Sequence, residues 1–462
     1  MSSLNSLPTP ATRRLGLLAL GLATLLPMLG GSLANMVLPA LGQAFAVPFA
    51  SLQWVLVAYL LGITCLTVVA GRLGDRFGRR RLLLLGLGLF ALASLLCALA
   101  PTIGWLIAAR ALQGVAAACM LSLALAMVGQ LVPPARRGWG MGLLGTLSAC
   151  GTALGPSFGG LLTASFGWQA PFLLLVPLSL LALGCARLGL PGDGCSPQKE
   201  GMNLASLSLL VAALLCYGLA LTLGGALALW WGAGALLVTG SFIRRERRAP
   251  VPLLPLALLG APGLSNGLLA SALVASVMVL TLLIGPFYLR GVFGLGLGTV
   301  GLMISGGPLL AALTGMPAGW LVDRLGARQV VRLGLAVMGA AALGLAGAAG
   351  QFGPLGYLLP ILLLTAGYAL FQTANNSAVV GEASEQTRGA VAGLLTLSRN
   401  LGQLTGVAGL GGLFAALVGE QGLTLASELV FGTRALFALS ALLIGLAFWL
   451  VGRRREGMLI SA

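Results

Sequence analysis

Twelve residues, Gly71-Arg-Leu-Gly-Asp-Arg-Phe-Gly-Arg-Arg-Arg-Leu82, constrain the fold more than any other stretch of the chain. They place five arginines and one aspartate between two long apolar runs, residues 53–70 and 83–100. Because charged side chains are costly inside a bilayer, so short a charged link must lie in water while its neighbours lie in lipid. A weaker copy, Gly-Trp-Leu-Val-Asp-Arg-Leu-Gly-Ala-Arg, occupies residues 319–328. Two such links predict a duplicated bundle of membrane-spanning helices.

The composition agrees with a membrane protein. The 462 residues are 58% hydrophobic and 8% charged, with a mean hydropathy of +1.02, whereas soluble proteins carry about 25% charged residues. The formal charge of +16 could suit a nucleic-acid partner. However, the basic residues cluster in short links between apolar runs, which is how orientation in a membrane is encoded. We therefore expect a polytopic protein in the lipid bilayer, with no nucleic-acid partner.

Cysteine and histidine usage argues against a metal or another cofactor. The seven cysteines show no paired spacing, so neither a disulfide framework nor a zinc motif follows. Histidine, the commonest metal ligand, is absent. Arg13-Arg14 before residues 15–29 resembles a signal peptide, but no small-residue cleavage site leads into a soluble domain. We expect a retained first span.

Apolar runs of about 20 residues each predict fourteen spanning helices. The predicted spans are 15–38, 51–71, 82–100, 103–131, 138–164, 169–189, 203–223, 225–243, 264–288, 297–321, 330–349, 355–381, 388–417 and 433–452. Only Gly224-Gly225 divides the seventh span from the eighth.

The distribution of basic residues predicts the orientation. If the N-terminus is cytoplasmic, the 26 Lys and Arg residues fall on the cytoplasmic side with four exceptions. Arg290 and Arg434 lie outside, and Arg110 and Arg399 lie within spans. This asymmetry predicts that both termini are cytoplasmic in a cytoplasmic (inner) membrane.

An internal repeat extends beyond the two links. Glycines of the fifth span match glycines of the thirteenth at a constant offset: Gly151, Gly155 and Gly160 with Gly402, Gly406 and Gly411. We predict an N-terminal six-helix bundle at 1–189, a linker with two inserted helices at 190–250 and a C-terminal six-helix bundle at 251–462. Repeats of this kind place a substrate site between the halves, near the bilayer midplane.

Three motifs, in this order, resemble the major facilitator superfamily. Residues 71–82 resemble its signature loop, and Ala109-Arg110-Ala-Leu-Gln113-Gly114 is similar to its fourth-helix motif. Gly151-Thr-Ala-Leu-Gly155-Pro156-Ser-Phe-Gly159-Gly160 is similar to the fifth-helix motif of exporters. The nearest resemblance is to the fourteen-span drug:proton antiporter branch. It implies an all-α fold of two six-helix bundles plus two extra central helices. It also implies that the protein exports small molecules by alternating access.

The signature loop and its copy hold the residues that we expect to gate this movement: Gly71, Asp75, Arg76, Gly78, Arg79, Asp323 and Arg324. The resemblance implies that Asp75 caps a helix of the other half, which begins near residues 388–390. A carboxylate at a helix N-terminus contributes about 0.3–1 kcal/mol, and a contact made in one state alone biases the equilibrium between two states. Alternatively, the arginines only set orientation and Asp75 offsets their repulsion.

The fifth-span motif has two interpretations. Gly151, Gly155 and Gly159 share one helix face, and Pro156 introduces a kink, which predicts a close-packed seam between the halves. Alternatively, membrane helices simply tolerate Gly and Pro. In the fourth span the motif residues are Arg110, Gln113 and Gly114, and the resemblance implies that Arg110 contacts the proton path or the substrate.

Polar side chains within spans predict the lining of a substrate cavity, because amides are costly in lipid without partners. The candidates are Asn35, Gln372, Asn375, Asn376, Arg399 and Gln403, with Trp54 and Tyr368 as aromatic contacts. The amides could instead join helices to one another, and Arg399 could extend toward the membrane surface.

The acidic residues depart from the pattern of the resembled branch. Many of its members carry an acid in the first span, where this chain has Met28-Leu-Gly-Gly-Ser32, and all ten Asp and Glu residues lie in links or near the C-terminus. Proton coupling normally uses an intramembrane acid or histidine. Coupling would therefore run through Asp75, Glu382 or a titratable solute. A cavity with arginines and amides but no carboxylate favours neutral or anionic solutes.

The leading hypothesis is a monomeric secondary transporter that exports drug-like compounds or metabolites, with protons as a possible counter-ion. The alternatives are a dedicated exporter or facilitator of one anionic or zwitterionic, siderophore-like metabolite, and more remotely a membrane sensor that does not transport. An enzyme is not expected, because no nucleophile is paired with a base and no metal site appears. The Gly-x-x-x-x-Gly-Lys-Ser/Thr loop of ATP-driven pumps is also absent.

Overall fold

The computed structural model describes residues 10–133, 137–193, 204–223, 225–249, 259–260, 262–381, 388–422 and 425–452. These residues form long helices joined by short links and contain no strand. The all-α architecture predicted from the sequence is confirmed.

The first half contains α1 (Pro10–Phe45), α2 (Phe49–Phe77), α3 (Arg79–Ala98), α4 (Ile103–Leu131), α5 (Arg137–Phe166) and α6 (Ala170–Gly189). The inserted pair is α7 (Leu204–Thr222) and α8 (Gly225–Glu246). The second half contains α9 (Pro262–Phe293), α10 (Leu297–Leu325), α11 (Ala327–Ala348), α12 (Leu355–Gly381), α13 (Arg388–Thr405), α14 (Gly411–Gly422) and α15 (Ala426–Gly452). A π-helical turn, Gly406–Leu410, joins α13 to α14, so the predicted span 388–417 is one rod with a local change of winding.

The internal repeat is also a repeat of helix packing. In the first half α1 packs against α4, α5 and α6, and α3 packs against α4 and α6. In the second half α9 packs against α12, α13 and α15, and α11 packs against α12 and α15. The halves meet along two related seams, α5 with α10 and α2 with α13. The residue limits that we assigned to the three units stay a prediction.

The turn between the second and third helices of each half is the same. Gly78 ends α2 and begins α3 with φ 97°, and Gly326 ends α10 and begins α11 with φ 82°. Side chains rarely adopt this left-handed region, so a glycine is needed at both corners.

The inserted helices lie beside the junction of the halves. The Tyr217 hydroxyl of α7 lies 2.7 Å from the Thr405 hydroxyl of α13, and Leu61 of α2 lies against Gly218 of α7. α8 packs on α7 and leaves large apolar side chains exposed, including Leu229, Trp230, Leu236 and Leu237. Such an outer face is suited to lipid.

Thirteen helices in the described part of the chain are long and apolar enough to cross a membrane. The predicted fifth span is not among them, although α5 is a 30-residue helix. Its many glycines lower its mean hydropathy. The same glycines let α1 and α10 approach α5 closely, so close packing rather than hydropathy characterises this helix.

Three clusters of buried apolar side chains hold the bundle together. One lies within the first half, around Leu20, Phe90 and Met120. Another lies within the second half, around Val330, Met338 and Phe371. The largest cluster contains side chains of both halves, such as Phe49, Leu283 and Phe414. The halves therefore share a core in one region and have separate cores elsewhere.

Candidate functional site

A cavity of about 410 Å³ lies between the two halves. Side chains of α1, α2, α4 and α5 line it from the first half, and side chains of α9, α13 and the π-helical turn line it from the second. Its polar lining consists of Thr24, Ser32, Asn35, Tyr59, Thr67, Arg110, Ser122, Ser148, Thr152, Thr396, Arg399, Asn400 and Gln403. Asn35 and Gln403 are thus two of the predicted cavity residues that reach this space.

The cavity extends toward the end of the bundle that carries the α2–α3 link, here called the arginine-rich end. Met141, near the start of α5, and Leu125, near the end of α4, line it and are about half exposed. At the opposite end the halves are in contact. Phe49 of α2 packs edge-on against Phe287 of α9 and Phe414 of α14, with ring centroids 5.1 and 5.8 Å away. This arrangement permits access from the arginine-rich end and blocks it at the other.

Arg110 is fully buried on α4 and is held by several partners. Its Nε donates to the Val55 carbonyl (3.1 Å), and its Nη1 donates to the Gly30 carbonyl (3.2 Å) and to Gln113 Oε1 (2.5 Å). The guanidinium carbon also lies 4.1 Å from the centroid of the Tyr59 ring. Nη2 has no partner among the described residues. This leaves one charged donor on a residue that lines the cavity.

The fourth-helix motif thus acts as a unit. Gln113 connects Arg110 to α3: its Oε1 accepts from Arg110, and its Nε2 donates to Ser94 Oγ of α3 at 2.7 Å. Gly114 brings α4 against α2: a β-carbon there would stand 2.2 Å from the Tyr59 carbonyl oxygen. The motif therefore holds a guanidinium at a fixed place between α1, α2 and α4.

Arg399 of α13 stands between two spaces. It lines the central cavity and also a pocket of about 10 Å³ within the second half. The other residues that line this pocket, here called the amide pocket, are Ser271, Tyr368, Phe371, Gln372, Asn375, Asn376 and Leu395. We expected Tyr368, Gln372, Asn375 and Asn376 to line the central cavity, but they surround the amide pocket instead. They do so because α9 and α13 pack in front of α12.

Acidic side chains are missing from both spaces among the described residues. Asp323 is exposed at the end of α10, and Glu428 lies in the first turn of α15. Glu382 lies outside the described residues. Within the described part, no group of three or more His, Cys, Asp or Glu residues could hold a metal ion either. The fixed charges that line the cavity are therefore the two guanidinium groups.

The fifth-helix motif forms two contact faces rather than one. We expected Gly151, Gly155 and Gly159 to pack between the halves, but they pack against α1 of their own half, next to Leu25, Ser32 and Leu33. The seam with the other half lies beside them. A β-carbon on Gly160 would stand 2.4 Å from the Leu297 carbonyl oxygen of α10. A β-carbon on Gly301 would likewise stand 2.3 Å from the carbonyl oxygen of Pro156.

A hydrogen bond crosses the same seam. Ser157 Oγ donates to Ser305 Oγ of α10 at 2.6 Å. Because successive residues of a helix point about 100° apart, adjacent residues of α5 contact different helices, α1 on one face and α10 on another. The seam between the halves is thus built by Pro156, Ser157 and Gly160 on one side.

In the signature loop the observed cap comes from an unexpected residue. The Asp193 carboxylate, after α6, accepts hydrogen bonds from the backbone N–H groups of Arg80 (2.8 Å) and Arg81 (3.1 Å) at the start of α3. Arg80 also donates to the Arg187 carbonyl at 2.6 Å, and Arg79 donates to the Ala126 carbonyl at 3.3 Å. These contacts join the loop to α4 and α6 of its own half.

Other predicted gating residues lie at the surface or outside the described set. Gly71 lies in α2 with open space beside it. The guanidinium of Arg76 lies 5.4 Å from the Phe77 ring centroid, and that of Arg324 lies 4.1 Å from the Trp320 ring centroid. The side chain of Asp75 and those of residues 388–390 are outside the described residues. The predicted cap of α13 by Asp75 therefore stays a prediction.

The sequence profile described as Major Facilitator Superfamily matches residues 20–407 and, in a second alignment, residues 268–459. The chain belongs to the major facilitator superfamily. Members of this superfamily are transporters rather than enzymes, and the second alignment over the later half agrees with the internal repeat.

Relatives of this major facilitator chain include export proteins. It is 32% identical over 410 residues to the uncharacterized transporter YebQ of Escherichia coli strain K12, covering 86% of this chain and 89% of that protein. It is 29% identical over 420 residues to the tetracenomycin C resistance and export protein of Streptomyces glaucescens, covering 87% and 76%. A crystal structure of a bacterial homologue of the lysosomal transporter Spinster, described as inward-facing and unoccupied, superposes with a TM-score of 0.70 at 16% identity, covering 96% and 97%. This likeness shows the shared fold.

Some residues of this major facilitator site were missed by the sequence reasoning, and Trp54, like the residues of the amide pocket, lies elsewhere than predicted. Trp54 lies outside both spaces and packs against the shared core. Thr396 and Asn400 line the central cavity and were not selected. Their spacing with Arg399 and Gln403 marks one face of α13, and this periodicity could have identified them. The role of Asp193 could not be predicted in this way, because the sequence of a short polar link does not show which helix its side chains contact.

Proposed function

We propose that this chain is a secondary transporter that exports small neutral or anionic molecules across the cytoplasmic membrane by alternating access. The observation that carries the proposal is the cavity between the halves, which is lined by two guanidinium groups, amides and hydroxyls and by no described carboxylate. The sequence relationship to a resistance and export protein supports the direction of transport.

Access from the cytoplasm follows if the arginine-rich end is the cytoplasmic one, as the distribution of basic residues favours. A solute would then enter between α4, α5 and α13 and reach Arg110 and Arg399. Its release would need the contact of Phe49 with Phe287 and Phe414 to open while the arginine-rich end closes. The seams of α5 with α10 and of α2 with α13 are the surfaces about which the halves would rock.

The positive charge of the cavity supports a preference for neutral or anionic solutes over cations. A monovalent cation about 10 Å from one guanidinium is repelled by roughly 1.7 kcal/mol at an effective dielectric constant of about 20. That energy corresponds to roughly a tenfold loss of affinity for each arginine. An anion gains what a cation loses, because the same Coulomb energy then attracts it to the two guanidinium groups.

Proton-driven antiport is the first candidate for coupling, because the resembled branch uses protons. The protonated group would be Asp75, Glu382 or an acidic group on the solute. A second candidate is a dedicated exporter or facilitator of one anionic or zwitterionic metabolite. The cavity lining favours this candidate, since no described carboxylate in it could carry a proton. In either case the working unit that we propose is a monomer in the inner membrane.

Reconstituted protein in liposomes with an imposed pH gradient tests this function. Neutral, anionic and permanently cationic solutes are offered in turn, and solute and proton fluxes are recorded together. We expect flux of neutral or anionic solutes, reduced at least about tenfold in Arg110→Gln, the loss set by one charged contact. Arg290→Gln, at the end of α9 and outside the cavity, is the matched control.

The outcomes separate the candidates. Proton flux that depends on the solute supports antiport, and solute flux without proton flux supports the facilitator. Efficient, saturable transport of a permanent dication, undisturbed in Arg110→Gln, would contradict the proposed charge preference.

A further inference from the structure

The two guanidinium groups of the cavity have unequal partners. Arg110 donates to two carbonyl oxygens and one amide oxygen and lies over an aromatic ring. No hydrogen bond joins Arg399 to another described residue, although it lies about 16 Å from the start of α13 at 1.5 Å per residue. A charge at such depth needs counter-charge or strong donors and acceptors around it. Arg399 has polar side chains beside it and lines the central cavity, but no described carboxylate compensates its charge.

The amide pocket gathers polar side chains that are also without protein partners. Asn375 Nδ2 is occupied, since it donates to the Gly267 carbonyl of α9 at 3.1 Å. By contrast, no hydrogen bond joins Tyr368, Gln372 or Asn376 to the described residues. These three side chains and Arg399 are partly exposed, and polar groups without a protein partner normally bind water or an ion. The pocket is therefore a set of unused donors that converge beside a positive charge.

Size and charge select the occupant. The pocket volume of about 10 Å³ is close to the room that one water molecule needs, so a carboxylate or phosphate group is too large. A metal cation is unfavourable beside Arg399, because no described carboxylate lines the pocket. A neutral water molecule would fill the space but leave the guanidinium charge without compensation. A monatomic anion compensates the charge with the least volume. Chloride is somewhat larger than a water molecule, so its binding requires a small outward shift of the partly exposed side chains that line the pocket.

We propose that the amide pocket binds one chloride ion, held by Arg399, the Tyr368 hydroxyl and the side-chain amides of Gln372 and Asn376. Ser271 of α9 supplies a further hydroxyl from the opposite wall. Each of these groups can donate a hydrogen bond, which is what a halide accepts. The site is separate from the central cavity but shares Arg399 with it. Chloride therefore neutralises one of the two charges that a transported solute meets.

Chloride titration of the purified full-length protein in lipid nanodiscs tests this site without any transported solute. Chloride replaces gluconate stepwise at constant ionic strength, and the melting temperature is recorded. We expect a saturable rise, since a ligand that binds only the folded state stabilises it. Bromide should reproduce the rise and sulfate should not. Bound radioactive chloride, displaced by bromide, gives an independent measure of the same midpoint.

Two variants locate the response. Gln372→Leu combined with Asn376→Leu removes the amide donors. We expect the chloride concentration at the midpoint of the titration to rise at least about tenfold, as the loss of hydrogen bonds to a charged group implies. Tyr368→Phe removes a single hydroxyl and should give a smaller rise, which keeps the test valid if the double variant misfolds. Ser377→Ala is the matched control, because Ser377 is exposed and bonds only the Thr373 carbonyl of its own helix.

Absence of a saturable response in the unaltered protein would overturn the proposal. An equal response in the unaltered protein and in the Tyr368→Phe and double variants would overturn it as well. Both readouts are independent of transport, so such a result would leave the export hypothesis standing. Conversely, a failure of export would leave the chloride result intact.

Discussion

The carboxylate of Asp193 lies where a side chain on Gly78 would stand: a β-carbon built on Gly78 comes within 2.4 Å of Asp193 Oδ2. Gly78 also has φ 97°. The signature turn is thus shaped to receive a carboxylate from the link after α6. This carboxylate caps α3 through the N–H groups of Arg80 and Arg81.

Asp193→Ala should loosen the first turn of α3. Loss of a helix cap typically costs about 0.5–2 kcal/mol, so we expect faster amide hydrogen exchange at residues 80–82, with little change elsewhere in α3. Asp323→Ala, an exposed carboxylate in the weaker copy of the loop, is the control. Unchanged exchange in Asp193→Ala would show that the cap does not hold the turn.

Gly160→Ala should force the seam between α5 and α10 apart. The added methyl group would meet the Leu297 carbonyl oxygen and the Gly301 backbone, and overpacking of this kind costs about 1–3 kcal/mol. We expect a lower melting temperature and slower transport. Gly142→Ala lies on the same helix with open space around its β-carbon and should be neutral. Similar effects of both changes would argue against a tight seam.

Arg110→Lys should slow transport about as much as Arg110→Gln, although the charge is kept. The guanidinium reaches Val55, Gly30 and Gln113 through a planar fork that an ammonium group cannot reproduce. Solute flux and melting temperature measured together separate lost function from lost folding. Gln113→Glu, which keeps an acceptor for Arg110, should retain more activity than Gln113→Leu, and the reverse order would contradict the network.

Phe49→Ala should open the closed end of the bundle. Removing a buried phenylalanine costs about 3–5 kcal/mol, and much of its contact is with Phe287 and Phe414 of the other half. The state in which these rings meet is therefore selectively weakened. A single cysteine at Gln403, in a chain without its native cysteines, should react faster with an impermeant reagent from the outer side. Phe448→Ala, on the exposed face of α15, should not change this rate.

Much of the fold follows from the sequence because lipid imposes simple rules. Apolar run lengths predict the helices, charged links predict the turns, and glycine spacing predicts the repeat. The exceptions have identifiable causes. α1 begins at Pro10 and α15 at Ala426, outside the predicted spans, because a helix continues beyond the apolar core into the interface. The π-helical turn at Gly406–Leu410 has no signature in hydropathy.

The site was less predictable, because hydropathy identifies buried polar residues but not their neighbours. Of the residues that we placed in the substrate cavity, Asn35, Arg399 and Gln403 line the central cavity, and Arg110 of the fourth-helix motif lines it too. Tyr368 and the amides of α12 were expected there too, yet α9 and α13 shield them. Asn375 joins α12 to α9, because its side chain donates to the Gly267 carbonyl. This contact arises from tertiary packing, so the sequence could not distinguish it from a contact with a solute. The roles of all these residues in transport stay predictions.

The inserted pair α7–α8 gives the two seams different surroundings. α7 lies across the seam of α2 with α13, so protein covers that flank. The seam of α5 with α10 packs against no inserted helix in the described part of the chain, and exposes Phe158, Leu161 and Leu302. A lipophilic compound dissolved in the acyl chains of the bilayer thus meets bare junction between the halves on one flank and a protein wall on the other. Compounds that arrive through the membrane can therefore reach the junction between the halves from one flank of the bundle and not from the other.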